Sequence, residues 1–193
     1  MKLAEIREKL TSTETYKQSM KSKWGDWLAW DCSINFDYGL TVMPKKKLVK
    51  HLAGVRNVKG NKAYRHLTRV ELELALNQLV KLLNTLVYKN AYRRYGKKLD
   101  GIMVIEGEKS GRDLHAHLAF SKPEFITVKQ FTQLVRHALE LSKEFLINDP
   151  TYNAMTDNLD KKYRYKLDII DRDWLYYITK ELDNTNAHSL YFI

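Results

Sequence analysis

The chain has 193 residues, 44% of them hydrophobic, a net charge of +10 and a single cysteine, Cys32. This length and apolar fraction suit one globular domain with its own core and exclude a disordered chain, while a single cysteine excludes an internal disulfide and a cysteine-based zinc site. Because the start of the chain lacks a signal-peptide pattern and no apolar run reaches about 18 residues, we expect a soluble, intracellular protein of the cytoplasm or nucleoid.

An N-terminal extension and a first strand are predicted before the first proline. The first part of residues 1–30 is predicted to be helical, and the part that follows is rich in aromatic residues. The tryptophans of this extension recur at every third position, which is more typical of a packing face than of a base-stacking platform: Trp24, Trp27, Trp30. Aromatic and β-branched residues over 33–43, ended by Pro44, predict a strand.

The segment from Pro44 to Val70 contains nine lysines and arginines and no acidic residue, and a second basic run covers residues 88–98. Such a cluster of one sign is typical of proteins that bind the phosphate backbone of nucleic acids, although a solvated basic loop has the same composition. We predict that the cations of the first segment contact DNA: Lys45, Lys46, Lys47, Lys50, Arg56, Lys59, Lys62, Arg65, Arg69.

A long helix is predicted from Thr68 to Gly96. Thr68 and Glu71 have the spacing of a capping box at its start, and glycine is a common helix terminator. Its apolar face is predicted from the hydrophobic residues that recur at helical spacing: Val70, Leu74, Leu76, Leu79, Leu83, Leu86, Val87.

Short apolar strands are predicted over 101–107 and 113–120, and their close spacing predicts a hairpin. Three further elements follow: a helix over 127–147, a strand over 162–170 and a last helix capped by Asp171 or Asp173. The order β, α, β, β, α, β, α predicts an α+β fold, with helices packed on one face of a central antiparallel sheet.

Alternation along the predicted hairpin places potential metal ligands together. His115 and His117 share one face of their strand, and Glu106 and Glu108 share one face of the preceding strand. Two imidazoles and a carboxylate can hold a divalent ion, Mg²⁺ or Mn²⁺, and leave positions open for water or phosphate. A chance histidine pair on a solvated strand face is the alternative interpretation.

The last predicted helix carries adjacent tyrosines, Tyr176 and Tyr177, followed by Lys180. Tyr177 and Lys180 are three residues apart and therefore share a helix face, and helical phase places Tyr177 closer to the stripe that should pack on the sheet. A phenolate beside a metal can attack a phosphodiester, and a lysine can stabilise the developing charge. Both tyrosines would otherwise only cover the edge of the core.

These motifs resemble those of the HUH endonuclease superfamily, in its single-tyrosine replication-initiator branch. The stretch LHAHLAF resembles the His-hydrophobic-His motif, YITK resembles the Tyr-x-x-Lys motif, and FDYGLTVM is similar to the strand motif near the start of such domains. The resemblance implies a ferredoxin-like HUH domain over residues 31–185, preceded by the extension 1–30 and followed by a tail over 186–193.

The resemblance also implies a reaction and partners. Such initiators nick and rejoin single-stranded DNA at a replication origin, often presented as a hairpin, keep the 5′ phosphate on tyrosine, free a 3′-OH and work with host replication proteins. The implied metal ligands are His115, His117 and Glu106, with Glu108 as the alternate. The implied catalytic residues are Tyr177 and Lys180, with Tyr176 as the alternate nucleophile.

Two other functions remain open from the sequence. A single-tyrosine transposase of the same superfamily would use the same chemistry in a different process. A DNA-binding protein without catalysis, such as a repressor, would need only the basic segment. The chain has no Walker A motif, so no attached helicase is predicted.

Overall fold

The structure, a computed structural model, describes residues 23–31, 35–48, 64–107, 113–145, 165–180, 182 and 190–193. Its strands are β1 (Tyr38–Val42), β2 (Lys47–Leu48), β3 (Tyr64–Arg65), β4 (Gly101–Glu106), β5 (His115–Phe120), β6 (Tyr165–Ile169) and β7 (Leu190–Phe192). Its α-helices are α1 (Arg69–Tyr88), α2 (Asn90–Tyr95), α3 (Val128–Ser142) and α4 (Arg172–Ile178), and a π-helical turn covers Trp27–Asp31.

Five strands form one antiparallel sheet in the order β6–β1–β5–β4–β7, and β2 pairs with β3 in a separate small ribbon. The predicted α+β class with a central antiparallel sheet is therefore confirmed. Within the described residues, the strand predicted over 33–43 is limited to Tyr38–Val42, and the strand predicted over 162–170 ends at Ile169. No helix among the described residues combines the length and the apolar character that a membrane crossing requires.

One face of the sheet is covered by α1 and α3. Leu40, Leu118 and Met103 lie side by side on three neighbouring strands and are buried beneath these helices. Both helices begin with a complete capping box, at Thr68 and at Thr127, so the local start signals in the sequence are confirmed. The α3 helix ends at Ser142, earlier than predicted, because Lys143 turns the backbone to a positive φ of 59°.

The predicted apolar face of α1 is wrong in part. Val70 and Leu74 are 63% and 65% exposed, whereas four of the predicted residues are buried: Leu76, Leu79, Leu83, Val87. The buried hydrophobic residues of α1 are Leu72, Ala75, Leu76, Leu79, Val80, Leu83, Val87. Because α1 carries apolar residues on both sides, its periodicity alone does not identify the side that meets the sheet. Lys89, with φ 50°, then separates α1 from α2.

Helices cover both faces of the sheet, whereas the sequence predicts them on one. The α4 helix and residues 23–31 pack on the face opposite to α1 and α3, where Leu28, Leu175 and Ile178 meet Ile102 and Val104 of β4. Part of the predicted N-terminal extension therefore belongs to a second core. This second face is the one that carries the histidines of β5.

The end of the chain joins the same sheet. Residues of β7 pair with β4, and the Ile193 N–H donates to the Gly101 carbonyl at 3.0 Å. The structure thus places residues 190–193 of the predicted tail at the edge of the sheet. Three strand residues are too few for a periodic signal in the sequence.

Candidate metal centre

Glu106, His115 and His117 converge at one end of the β4–β5 hairpin. Glu106 lies directly across from His115 in the strand register, and His117 follows two residues later on the same face. Oε2 of Glu106 is 3.4 Å from Nε2 of each histidine. All three ligand atoms lie within 4.8 Å of one another, so this group could hold a metal ion. The alternate ligand Glu108 lies outside the described residues.

Each imidazole is oriented by a contact at its other nitrogen. Nδ1 of His115 donates to the Asp113 carbonyl at 3.0 Å, and Nδ1 of His117 lies 2.8 Å from Oγ1 of Thr41. Such contacts hold the ring so that Nε2 presents its lone pair to a metal. Thr41 was not identified from the sequence, although it directly faces His117 across β1 and β5.

Buried polar atoms in this group lack good hydrogen bonds. Among the described residues, neither carboxylate oxygen of Glu106 nor Nε2 of His117 has a hydrogen bond of acceptable geometry, although Lys180 Nζ forms an ion pair with Oε2 of Glu106. Orphaned buried polar atoms are costly, and a bound cation would satisfy all three of them. Two imidazoles and one carboxylate fit Mn²⁺ well, and Mg²⁺ would depend more on added phosphate and water oxygens.

The charge states of the ligands favour a cation. Burial would raise the pKa of Glu106, but the nearby imidazoles of His115 and His117 and the charge of Lys180 outweigh burial and lower that pKa to about 2. Burial lowers the pKa of His117, whereas the hydrogen bond with Glu106 raises the pKa of His115. At neutral pH the carboxylate is therefore ionised and His117 is neutral, as metal ligation requires, whereas the raised pKa of His115 means that a bound metal must displace a proton from this ring.

The α4 helix and the turn after it bring Tyr177 and Lys180 to the same group. The helix ends at Ile178, so Lys180 lies beyond it and not, as the sequence predicts, on a helix face shared with Tyr177. The start of the helix is fixed by Asp171, whose side chain accepts the Trp174 N–H at 3.0 Å, so Asp171 and not Asp173 is the cap. The Tyr177 ring lies 5.6 Å from the His117 ring, centroid to centroid, and is 51% exposed. A tyrosine thus stands beside the three ligands and is open to solvent.

Lys180 lies between the tyrosine and the carboxylate. Its Nζ is 3.1 Å from Oε2 of Glu106 and 3.4 Å from the centroid of the Tyr177 ring. Burial lowers the pKa of Lys180, but the Tyr177 hydroxyl and the Glu106 carboxylate more than compensate and raise it. The ammonium is therefore charged where it lies beside Glu106 and Tyr177.

Tyr176 points to a different part of the structure. Its hydroxyl donates to Oδ1 of Asp26 at 2.6 Å, and its ring packs so closely on Gly25 that a Cβ there would overlap it. The two adjacent tyrosines therefore have different surroundings. Tyr177 faces the metal ligands, and Tyr176 ties α4 to residues 23–31.

Gly39 allows Trp174 to lie against β1 and beside His117. A Cβ at Gly39 would overlap the Trp174 indole, whose ring lies 5.9 Å from the His117 ring. We expect Gly39→Ala to destabilise the protein by about 1–3 kcal/mol, as overpacking does, and to weaken Mn²⁺ binding because Trp174 must move. Thermal unfolding and titration calorimetry with Mn²⁺ measure the two effects.

Gly96→Ala is the matched control for this change. Gly96 has a φ of 65°, so alanine is strained there, but its Cβ would meet no atom within 4 Å. We expect a similar loss of stability, about 1–2 kcal/mol, with unchanged Mn²⁺ affinity. Equal Mn²⁺ affinities for the two variants would contradict a role of the Gly39–Trp174 contact at the metal centre.

Most of the predicted DNA-binding cations that the structure describes already have internal partners. Arg65 and Lys47 both reach Glu71, at 2.6 Å and 3.3 Å, and the Arg65 guanidinium holds the pKa of that carboxyl well below its usual range. Arg69 pairs with Glu73 at 2.9 Å, and Lys45 donates to the Lys143 carbonyl. Lys46 is exposed. Predicted cations outside the described residues are Lys50, Arg56, Lys59, Lys62.

A shallow groove adjoins the metal centre. Its walls include Lys45, Lys46 and His66, and Asp113 and Leu114, which directly precede His115, form its other side. His66 lies 3.3 Å from Asp113 across the groove.

The chain was compared with protein families, with curated proteins and with solved structures, and none of them matched. The function is therefore inferred from the residues of the site.

Proposed function

We propose that the protein is a metal-dependent HUH endonuclease that nicks and rejoins single-stranded DNA at a replication origin. The observation that carries the proposal is the position of Tyr177, half exposed and 5.6 Å from His117 in a cluster able to hold a metal. The antiparallel sheet, with α4 on the face of the histidines, supports a ferredoxin-like HUH domain as the finer fold assignment.

The reaction is an exchange of phosphate esters. Glu106, His115 and His117 would hold Mn²⁺ or Mg²⁺, which supplies Lewis acidity to the scissile phosphate. The Tyr177 oxygen attacks phosphorus after losing its proton, the P–O3′ bond breaks, and O3′ takes up a proton and leaves as a hydroxyl. The 5′ phosphate stays on tyrosine. Attack by a new 3′-OH reverses the step and rejoins the strand.

Lys180 stabilises the charge that develops in this reaction. Its ammonium lies next to both Glu106 and Tyr177, so it can stabilise the negative charge that develops on the phosphate oxygens. The groove lined by Lys45, Lys46 and His66 offers positive charge for the DNA strand that enters the site. Host replication proteins would extend the freed 3′-OH.

A covalent-capture assay tests the proposal. The protein is mixed with Mn²⁺ and a pool of random single strands and of hairpins with random loops, and a denaturing gel reveals any protein–DNA adduct. We expect an adduct that chelation of the metal prevents, and sequencing of the attached DNA identifies the site. Binding that depends on salt, without an adduct in either pool, would favour a DNA-binding protein that does not cleave.

The contact between Asp26 and Tyr176 should affect the rate of this reaction. We expect Asp26→Ala and Tyr176→Phe each to slow adduct formation several-fold, because a hydrogen bond to a charged group contributes about 1.5–3 kcal/mol to holding α4 in place. The effects of the two changes should combine to less than their sum, because both remove the hydrogen bond between Tyr176 and Asp26. Single-turnover rates at saturating DNA and Mn²⁺ measure this.

Asp173→Ala is the control. It also removes a carboxylate, but one on α4 that makes no contact with residues 23–31 in the described part of the chain. It should leave the rate within about two-fold of the unchanged protein, as surface substitutions usually do. If the effects of Asp26→Ala and Tyr176→Phe on the rate are additive in the double variant, the hydrogen bond between the two residues does not position the helix.

A further inference from the structure

The second basic run forms a surface of its own around α2. We name it the α2 surface and define it by five cations, Lys89, Arg93, Arg94, Lys97 and Lys98, all of which are exposed. Within the described part of the chain none of the five has an ion pair. The cations of the first basic segment differ, because Lys47, Arg65 and Arg69 are paired with acids of α1.

The architecture of α2 accounts for only part of this charge. Arg93 and Arg94 lie in the last turn of α2, where cations interact favourably with the helix dipole. Lys89 is the C-cap of α1, where the dipole of that helix also favours a cation. Lys97 and Lys98 follow the end of α2 at Gly96, beyond its last turn. Tyr95, between the two pairs of cations, is 76% exposed and adds an aromatic ring to the surface.

The α2 surface lies at the end of the sheet opposite to the metal centre. Lys98 is followed by Leu99, whose N–H donates to the Asn84 side chain at 2.7 Å, and then by the start of β4. Glu106 is the last residue of the same strand. Six strand residues at about 3.4 Å each separate the two ends by about 17 Å, which is about five nucleotides at the rise of one B-form strand.

We propose that the α2 surface binds the phosphates of a nucleic acid strand at least about five nucleotides from the position held at the metal centre. The inference rests on the proposed function in taking DNA as the substrate. Unpaired cations that neutralise phosphates release counterions, so they contribute to affinity and to its salt dependence. An exposed tyrosine among them suits base stacking on a single strand.

Two variants that remove equal charge test the proposal. Arg93→Gln/Arg94→Gln/Lys97→Gln removes three cations from the α2 surface, and Lys81→Gln/Lys129→Gln/Lys143→Gln removes three exposed cations elsewhere. Fluorescence anisotropy in chelator measures binding to single strands of about 30 and about 6 nucleotides over a series of salt concentrations. Because cleavage needs the metal, this readout is independent of catalysis.

We expect the α2 variant to lower the slope of log K against log salt by about 2 for the long strand, since each phosphate contact on a single strand contributes about 0.7. The control should change that slope by less than about half as much, and the two variants should differ less on the short strand, which makes fewer phosphate contacts. Equal slopes for the two variants on the long strand would overturn the proposal.

Two further outcomes separate this inference from the proposed function. If the salt slope depends on the α2 surface but no covalent adduct forms, the proposed role of the α2 surface is supported and the proposed nicking activity is rejected. Loss of binding to phosphatidylserine vesicles by the α2 variant, with an unchanged DNA slope, would identify an anionic membrane as the partner and overturn the inference.

Discussion

Tyr177→Phe is expected to abolish the covalent protein–DNA adduct, with a loss of at least about 10³-fold in rate, because the nucleophilic oxygen is removed. The phenylalanine ring can keep the contact with His117, whose centroid lies 5.6 Å from that of Tyr177. Mn²⁺ affinity, DNA affinity and the thermal unfolding temperature should therefore change little. The capture assay, run with radiolabelled DNA of the identified site, measures the effect.

Tyr176→Phe is the matched control, since it removes the same atom from the neighbouring residue. Its adduct should persist at a reduced rate, because the lost hydroxyl donates to Asp26 and not into the metal centre. Mass spectrometry of the digested adduct should find the nucleotide on Tyr177. A nucleotide on Tyr176, or an adduct that survives Tyr177→Phe, would show that the nucleophile is assigned wrongly.

Glu106→Gln is expected to lower Mn²⁺ affinity by at least about 100-fold and to stop adduct formation, because a neutral amide is a weak ligand for hard cations. The change conserves the volume of the buried side chain and so avoids a cavity. It also removes the anion that lies 3.1 Å from Lys180. Titration calorimetry with Mn²⁺ and the capture assay give the two readouts.

Glu108→Gln distinguishes the two candidate carboxylates. It should leave Mn²⁺ affinity within about two-fold, since Glu106 completes a group whose ligand atoms lie within 4.8 Å. If Glu108→Gln loses the metal and Glu106→Gln keeps it, Glu108 is the third ligand. Unchanged Mn²⁺ affinity in both variants would leave the two histidines without a carboxylate and would contradict the proposed centre.

Local patterns predicted much of the fold because their causes are local. The capping boxes at Thr68 and Thr127 depend on residues three positions apart, and both are present. Strand alternation places His115 and His117 on one face whatever surrounds the strand. The α+β class and the presence of potential metal ligands on a hairpin therefore followed from the sequence.

Contacts between distant parts of the chain needed the tertiary structure. Periodicity placed Val70 and Leu74 in the core, but the side of α1 that meets the sheet depends on the position of the whole helix. Charge composition identified Arg65 as a DNA contact, but its pairing with Glu71 depends on how the β2–β3 ribbon meets α1. Sequence spacing could not anticipate either arrangement.

The same division holds at the metal centre. The sequence by itself determined which chemical groups are present: two imidazoles on one strand face, a carboxylate on the neighbouring strand, and a tyrosine and a lysine three positions apart in the chain. Only the tertiary structure decided that Glu106 lies across from His115, that Tyr177 faces His117 while Tyr176 meets Asp26, and that Thr41 orients an imidazole. Strand register and helix packing set these distances, and both arise from burial of surfaces far apart in the chain.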